Sequence, residues 1–130
     1  MVDYSMPRDI AKFLETQAIG TVGTDIFVGL MPDSPSNCIA VYQYAGQKPQ
    51  LGLDLEEQGL QVRVRNSSWA TAMTKAKSIY DLLHEKTWDT TMESGKVVYF
   101  IEATGAMMQG GKDPKGLHHV ILNFIVTRGA

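Results

Sequence analysis

The sequence has little that would cross-link it, anchor it or charge it strongly. It has one cysteine, Cys38, in 130 residues, so no internal disulfide can form, and this usage is typical of a reducing compartment. Its formal net charge is −2, which argues against a surface that binds nucleic acid throughout. No apolar run approaches the roughly 20 residues that span a bilayer. The stretch "MVDYSMPRDIAKFL" has charges where a signal peptide needs an apolar centre.

Motifs for catalysis and cofactor binding are missing as well. The segments "ESGKVV" and "AMMQGGKD" both lack the first glycine and the final hydroxyl residue of a phosphate-binding loop. His118 and His119 are adjacent at the start of a strand, so their side chains point to opposite faces and cannot easily chelate one ion. Cys38 lies in an apolar strand, and no carboxylate pair is placed for acid–base work. We therefore predict a protein that is not an enzyme, with no cofactor and no metal.

What the sequence does contain is typical of one globular domain spanning residues 1–130. Hydrophobic residues make up 44% and charged residues 20%, a balance that favours a folded chain over a disordered one. Apolar residues at helical spacing predict helices over Met6–Gln17 and Ser68–Glu85. The second helix has Ala72 and Ala76 at the centre of its apolar stripe, so we expect it to lie close to a sheet.

Alternating patterns predict about five strands. "TDIFVGLMP" and "NCIAVYQYAG" are expected to form one hairpin, Leu60–Arg65 a third strand, and "KVVYFIEATGA" and "HHVILNFIVTR" a second, longer hairpin. Gly46–Gln58 and "KTWDTTMESGK" have no clear period and are predicted to be loops. The predicted fold is α+β, in the order α-β-β-β-α-β-β. Its sheet is mostly antiparallel, with two helices on one face.

The closing hairpin is apolar on both faces, which is unusual for a sheet with one side in water. Simple alternation places Val97, Tyr99 and Ile101 opposite Val98 and Phe100. In the last strand it places Ile121 and Ile125 opposite four other apolar residues. Two short helices cannot cover both faces, so a second copy of the chain is expected to cover one of them. The alternative is that the N-terminal hairpin folds over that face. The candidate interface residues from this pattern are Phe100, Ile121 and Ile125.

The segment "GLQVRVR" places Arg63 and Arg65 on one face of a strand. Three interpretations are open. The arginines could bind nucleic acid, although Lys75 and Lys77 of the next helix do not extend them into one basic stripe. They could pair with Glu102 across the sheet. They could also meet the acidic segment of the next subunit in an assembly, which would fix register more than affinity. The acidic residues of that segment are Asp54, Glu56 and Glu57.

Four stretches in this order resemble the minor capsid and tail-completion proteins of long-tailed bacteriophages, the group that includes tail terminators. They are "IFVGLMPDSPSNCIAVYQYAG" (Ile26–Gly46), "GLQVRVRNSSWATAMTKAKSIYDLL" (Gly59–Leu83), "VVYFIEATGAM" (Val97–Met107) and "KDPKGLHHVILNFIVTR" (Lys112–Arg128). Each motif is structural rather than catalytic, so the resemblance depends on their order.

The resemblance implies a small α+β protein that assembles into a ring, expected to be hexameric, with no catalysis and no cofactor. The ring would cap the tail tube and join it to the head connector or stopper proteins, in the neck of the virion after assembly in the host cytoplasm. DNA would at most pass through the ring lumen. Another neck or minor capsid component, or a small nucleic-acid-binding module using Arg63 and Arg65, is the alternative.

Overall fold

The computed structural model describes residues 5–47, 55–84 and 86–129. In these ranges the elements run in the order α1 (Met6–Thr16), β1 (Ile26–Val28), β2 (Cys38–Gln47), β3 (Leu55–Asn66), α2 (Trp69–Leu83), β4 (Lys86–Thr91), β5 (Val97–Ala103), β6 (Met108–Lys112) and β7 (His118–Gly129). The α+β class and the order of the predicted elements are confirmed. The strands β4 and β6 were not predicted.

A single mixed sheet contains all the strands within the described ranges, in the order β1-β2-β3-β7-β5-β4, and β6 pairs with the start of β7. The predicted hairpin of the first two strands is wrong, because β1 and β2 pair in parallel, with Ile26 opposite Ile39. Residues 29–37 carry the chain back to the starting end of β1 before β2 begins. These two strands extend the sheet at its edge and do not fold over its second face.

Both helices pack on one face of the sheet. Helix α1 lies on β1 and β2, and α2 lies on β3, β7 and β5. Ser68 caps α2 by accepting a hydrogen bond from the Thr71 amide at 3.3 Å. Ala72 and Ala76 are fully buried, which confirms the close approach predicted for this helix. Neither helix is long and apolar enough to cross a membrane, as far as the described residues extend.

Two segments predicted to be loops are partly strands. Gln47 pairs with Glu57, and Leu55 pairs with Gly129, so β2 and β3 extend into the segment Gly46–Gln58 from both sides. Residues 48–54 of that segment lie outside the described residues. Lys86–Thr91 pairs with β5 and forms the other edge of the sheet. Pairing with an adjacent strand makes both segments extended, although their own sequences have no clear period.

The two-sided apolar pattern of β5 results from a β-bulge. Val98 pairs with Arg128 and Phe100 pairs with Thr127, so β5 has an extra residue between the two pairs. Val98 and Ile101 consequently share the buried face, and the simple alternation predicted for this strand is wrong. In β7 the predicted alternation is confirmed. Its fully or almost fully buried residues are Val120, Leu122, Phe124 and Val126, while Ile121 and Ile125 on the opposite face are half-buried.

Candidate assembly surface

The candidate site is the sheet face turned away from both helices, which we call the open face. The pairing register and the burial pattern assign to it alternate residues of four neighbouring strands: Tyr42, Tyr44, Glu57, Gly59, Gln61, Arg63, Phe100, Glu102, Ile121, Asn123 and Ile125. Five of the residues predicted for a subunit interface are therefore brought together on one surface.

Tyr44 lies flat across the middle of the open face. Its hydroxyl donates a hydrogen bond to the Phe124 carbonyl oxygen at 3.3 Å, so the ring crosses β3 above Gly59. A Cβ added to Gly59 would lie 2.6 Å from two ring carbons, and only glycine leaves room for this arrangement. Tyr44 is still 38% exposed, so it presents a fixed aromatic surface to solvent. The sequence signal that was missed is a glycine inside a strand, which often marks such a close approach.

Polar side chains lie next to this ring along β3. Gln61 donates a hydrogen bond from Nε2 to Asn123 Oδ1 at 3.1 Å, which fixes both amides. Arg63 is half-buried. Within the described ranges its buried Nε has no hydrogen-bond partner, and its guanidinium forms no ion pair. A cation that has lost part of its hydration without gaining an acceptor is costly, so Arg63 is suited to a partner from outside the chain.

The acidic residues of the open face lie away from Arg63, with Glu57 towards the other end and Glu102 level with Gly59. Glu57 pairs with Thr127, and Glu102 pairs with Ile125. Neither carboxylate forms an ion pair or a hydrogen bond among the described residues. Glu57 is six positions from Arg63 along β3, which corresponds to roughly 20 Å. Glu102 is likewise not placed beside either arginine, so the pairing predicted across the sheet does not form. The open face has one basic end and one acidic end.

Arg65 has a different environment from Arg63, although the sequence pattern treats them alike. It is only 7% exposed. Its Nε donates to the Ser36 carbonyl at 2.9 Å, and its Nη2 donates to the carbonyls of Pro32 and Pro35 at 2.5 and 2.8 Å. Arg65 therefore holds the β1–β2 connection against the sheet. These contacts within the chain compete with any contact that Arg65 would make to a neighbouring subunit.

The turn after β6 is fixed at the same end of the sheet. Asp113 Oδ1 accepts hydrogen bonds from the amides of Lys115 and Leu117 at 2.9 and 3.0 Å, and Oδ2 lies 3.0 Å from His119 Nε2. The His119 contact and then the backbone donors hold the pKa of Asp113 below its ordinary value. Gly116 donates its amide to the Asp113 carbonyl at 2.9 Å, which closes a four-residue turn over residues 113–116.

Glu56, another predicted interface residue, faces the helices instead of the open face. Its Oε1 accepts a hydrogen bond from Arg128 Nε at 2.9 Å, and Arg128 Nη1 lies 3.6 Å from Asp9 Oδ2. Asp9 also accepts hydrogen bonds from the amide and the hydroxyl of Ser94 at 3.0 and 2.5 Å. This buried network joins α1, β3, β7 and the β4–β5 turn. Asp54, the remaining acidic residue of the prediction, lies outside the described residues.

The cysteine and histidine side chains that could act in catalysis or bind a metal lie in different environments of the fold. Cys38 is 4% exposed, and burial raises the pKa of its thiol, as expected for a packing residue. His118 contacts the Trp69 ring, whereas His119 contacts Asp113. His84 Nδ1 accepts a hydrogen bond from the Ala103 amide at 3.0 Å. In the part of the chain that the structure describes, no three histidine, cysteine or acidic side chains converge to hold a metal ion.

Solved structures share this fold. A chain of the "Virion of native gene transfer agent (GTA) particle" aligns with a TM-score of 0.66 at 12% identity, over 98% of this chain and 100% of that chain. A second solved chain aligns with a TM-score of 0.54 at 12% identity, over 97% of this chain and 98% of that chain. At this identity the comparison establishes the fold class.

The family follows from the sequence itself. The family model described as "Bacteriophage tail terminator protein" matches residues 13–128. The chain therefore belongs to the bacteriophage tail terminator family, and the resemblance found in the sequence is confirmed. This membership makes it a structural protein of the phage virion. A search of the curated proteins found no match.

Proposed function

We propose that this protein terminates the phage tail by self-assembly and without catalysis. Its copies form a closed ring of six that caps the tail tube and offers a docking surface to the head connector or stopper proteins. The ring assembles in the host cytoplasm and stays in the neck of the virion, with DNA at most passing through its lumen. The observation that carries this proposal is the family match over residues 13–128.

The open face is the surface that we assign to contact between subunits. Helices cover the other side of the sheet, and half-buried apolar residues remain on this one. A ring requires each subunit to keep such a surface available until a neighbour arrives. Of the predicted interface residues, Arg63, Glu57, Phe100, Ile121 and Ile125 contribute directly. Arg65 and Glu56 make contacts within the chain that hold the surface in shape. For Asp54, a contact with the neighbouring subunit remains a prediction.

Solution mass and imaging test the proposal together. The purified protein should show a mass above that of one chain in light scattering at several concentrations. Negative-stain images should show rings, and rings at the ends of added tail tubes. A protein that is monomeric at all concentrations and leaves tail tubes bare would refute the proposal. Binding to connector proteins but not to tubes would favour another neck or minor capsid component.

Single-stranded nucleic acid is the second candidate ligand of the open face. Tyr42 is a diagonal neighbour of Arg63 on the same face, with Tyr44 further along it, and aromatic rings on the same surface as an arginine are suited to stacking with bases. Glu57 and Glu102 on that face oppose a phosphate backbone. Binding of this kind should weaken steeply with salt. If no mobility shift occurs with single- or double-stranded DNA at low salt, this candidate is eliminated.

A further inference from the structure

We propose that Tyr44, held flat above Gly59, is the central anchor of a contact between two copies of this chain, and that Arg63 of one copy pairs with Glu57 and Glu102 of the next. This inference rests on the self-assembly proposed above. It adds the side chains that carry the contact and the way in which two copies align.

The first argument is the rigidity of the open face before any partner binds. The hydrogen bond to Phe124 and the lack of a side chain at Gly59 fix the Tyr44 ring, and Gln61 and Asn123 fix each other. Ordering of side chains is one of the main costs of association, and here much of that ordering is already present. Exposed, rigid tyrosines at the centre of a surface are enriched among the residues that dominate binding.

The second argument identifies the occupant. Arg63 needs an acceptor, because its buried Nε has none among the described residues. Glu57 and Glu102 form no ion pair within the described chain, so both carboxylates are available to a cation from a partner. These groups do not meet in one subunit, since Arg63 is separated along the strands from Glu57 by roughly 20 Å and from Glu102 by roughly 14 Å. A second copy supplies both missing partners at once, whereas an unrelated partner would have to supply a carboxylate and a cation at matching positions.

The third argument concerns symmetry. If the next copy is displaced along the strands, its acidic end lies beside the basic end of the first, and its own basic end stays available. Such a head-to-tail contact uses two different patches of each subunit, and it closes into a ring when the rotation permits. A contact of this kind therefore agrees with a ring of identical chains.

The test compares variants of the full chain by light scattering over a range of concentrations, with thermal unfolding measured in parallel. Tyr44→Ala should weaken self-association by about 30-fold, the size expected for a dominant interface tyrosine. Trp69→Ala is the matched control, because Trp69 is 37% exposed and lies on the helical side; it should assemble like the wild type. Arg63→Glu should also block assembly. Adding Glu57→Lys and Glu102→Lys to Arg63→Glu should restore it.

The outcomes separate this inference from the proposed function. Loss of assembly in Tyr44→Ala and Arg63→Glu, with melting temperatures near wild type and rescue by the charge exchange, supports it. If the wild type assembles and both variants assemble equally well, the inference is overturned and the ring proposal stands. If Tyr44→Ala unfolds, Arg63→Glu and its rescue variant decide between the outcomes, since the Arg63 side chain forms no hydrogen bond or ion pair among the described residues that its loss would break. A wild type that never self-associates overturns both.

Discussion

Replacing Arg65 with methionine should destabilise the fold by an amount that the structure allows us to work out. The substitution keeps the apolar stem and removes three short hydrogen bonds from a cation to loop carbonyls. Hydrogen bonds to charged groups contribute about 1.5–3 kcal/mol each. Because these carbonyls lie in a surface connection, water can donate hydrogen bonds to them in the variant and offset part of this loss. We therefore expect the free energy of unfolding to fall by about 2–4 kcal/mol. For 130 residues this lowers Tm by about 7–15 °C.

Arg63→Met is the matched control for this prediction. It removes the same side chain from the same strand two positions earlier, where no hydrogen bond or ion pair to a described residue is lost. Its Tm should stay within about 2 °C of wild type. Both variants should be measured by calorimetry at a dilution where light scattering detects single chains, so that assembly does not contribute to Tm. Proteolysis should cut Arg65→Met within residues 29–37 faster than wild type. Equal Tm changes in the two variants would refute the reasoning.

Three further predictions concern the fold beneath the open face. Asp9→Ala should cost about 3 kcal/mol in urea unfolding, because it leaves the buried Arg128 with one carboxylate fewer; a loss below about 1 kcal/mol would contradict a structural role for the network. Ala76→Leu should lower the urea midpoint, corresponding to about 1–3 kcal/mol of overpacking against the sheet, and an unchanged midpoint would show that the helix has room to move. Asp113→Asn should lower Tm at neutral pH. A carboxyl whose folded-state pKa is depressed, here by His119, stabilises the fold above its unfolded pKa, so the difference from wild type should shrink as pH falls below about 4. A difference that stays constant down to about pH 2 would argue against that contact.

Patterns that depend on local sequence were predictable. The spacing of apolar residues predicted both helices to within two residues at each end, and strict alternation predicted which side chains of β7 face the core. In each case the periodicity of one element determines which side chains are buried. The buried Ala72 and Ala76 follow from the same argument, because small residues at the centre of a stripe permit close packing.

Features that depend on distant partners were not predictable. The segment 108–112 contains two glycines and has little strand propensity, and pairing with β7 alone makes it extended. One extra residue near Tyr99 reverses the facing of half of β5. Alternation correctly placed Arg63 and Arg65 on the same face of the sheet. Only Arg65 is covered, however, and the segment that covers it, residues 32–36, lies about 30 positions earlier in the chain. No local pattern contains that information.

The open face also bears on a difficulty that the proposed ring assembly would raise. A surface that associates strongly must also be tolerable on a single chain before its neighbours arrive, because exposed apolar area promotes unspecific aggregation. On the open face Tyr44 covers the backbone at Gly59, and the paired amides of Gln61 and Asn123 occupy the centre. The apolar residues are thereby half-buried already, while Arg63 and the distant carboxylates form no ion pair among the described residues. In the contact that we propose, charge supplies the specificity for a second copy, and a rigid aromatic ring supplies the affinity. Since these contributions come from different residues, a change of salt should alter the rate of assembly more than its final affinity.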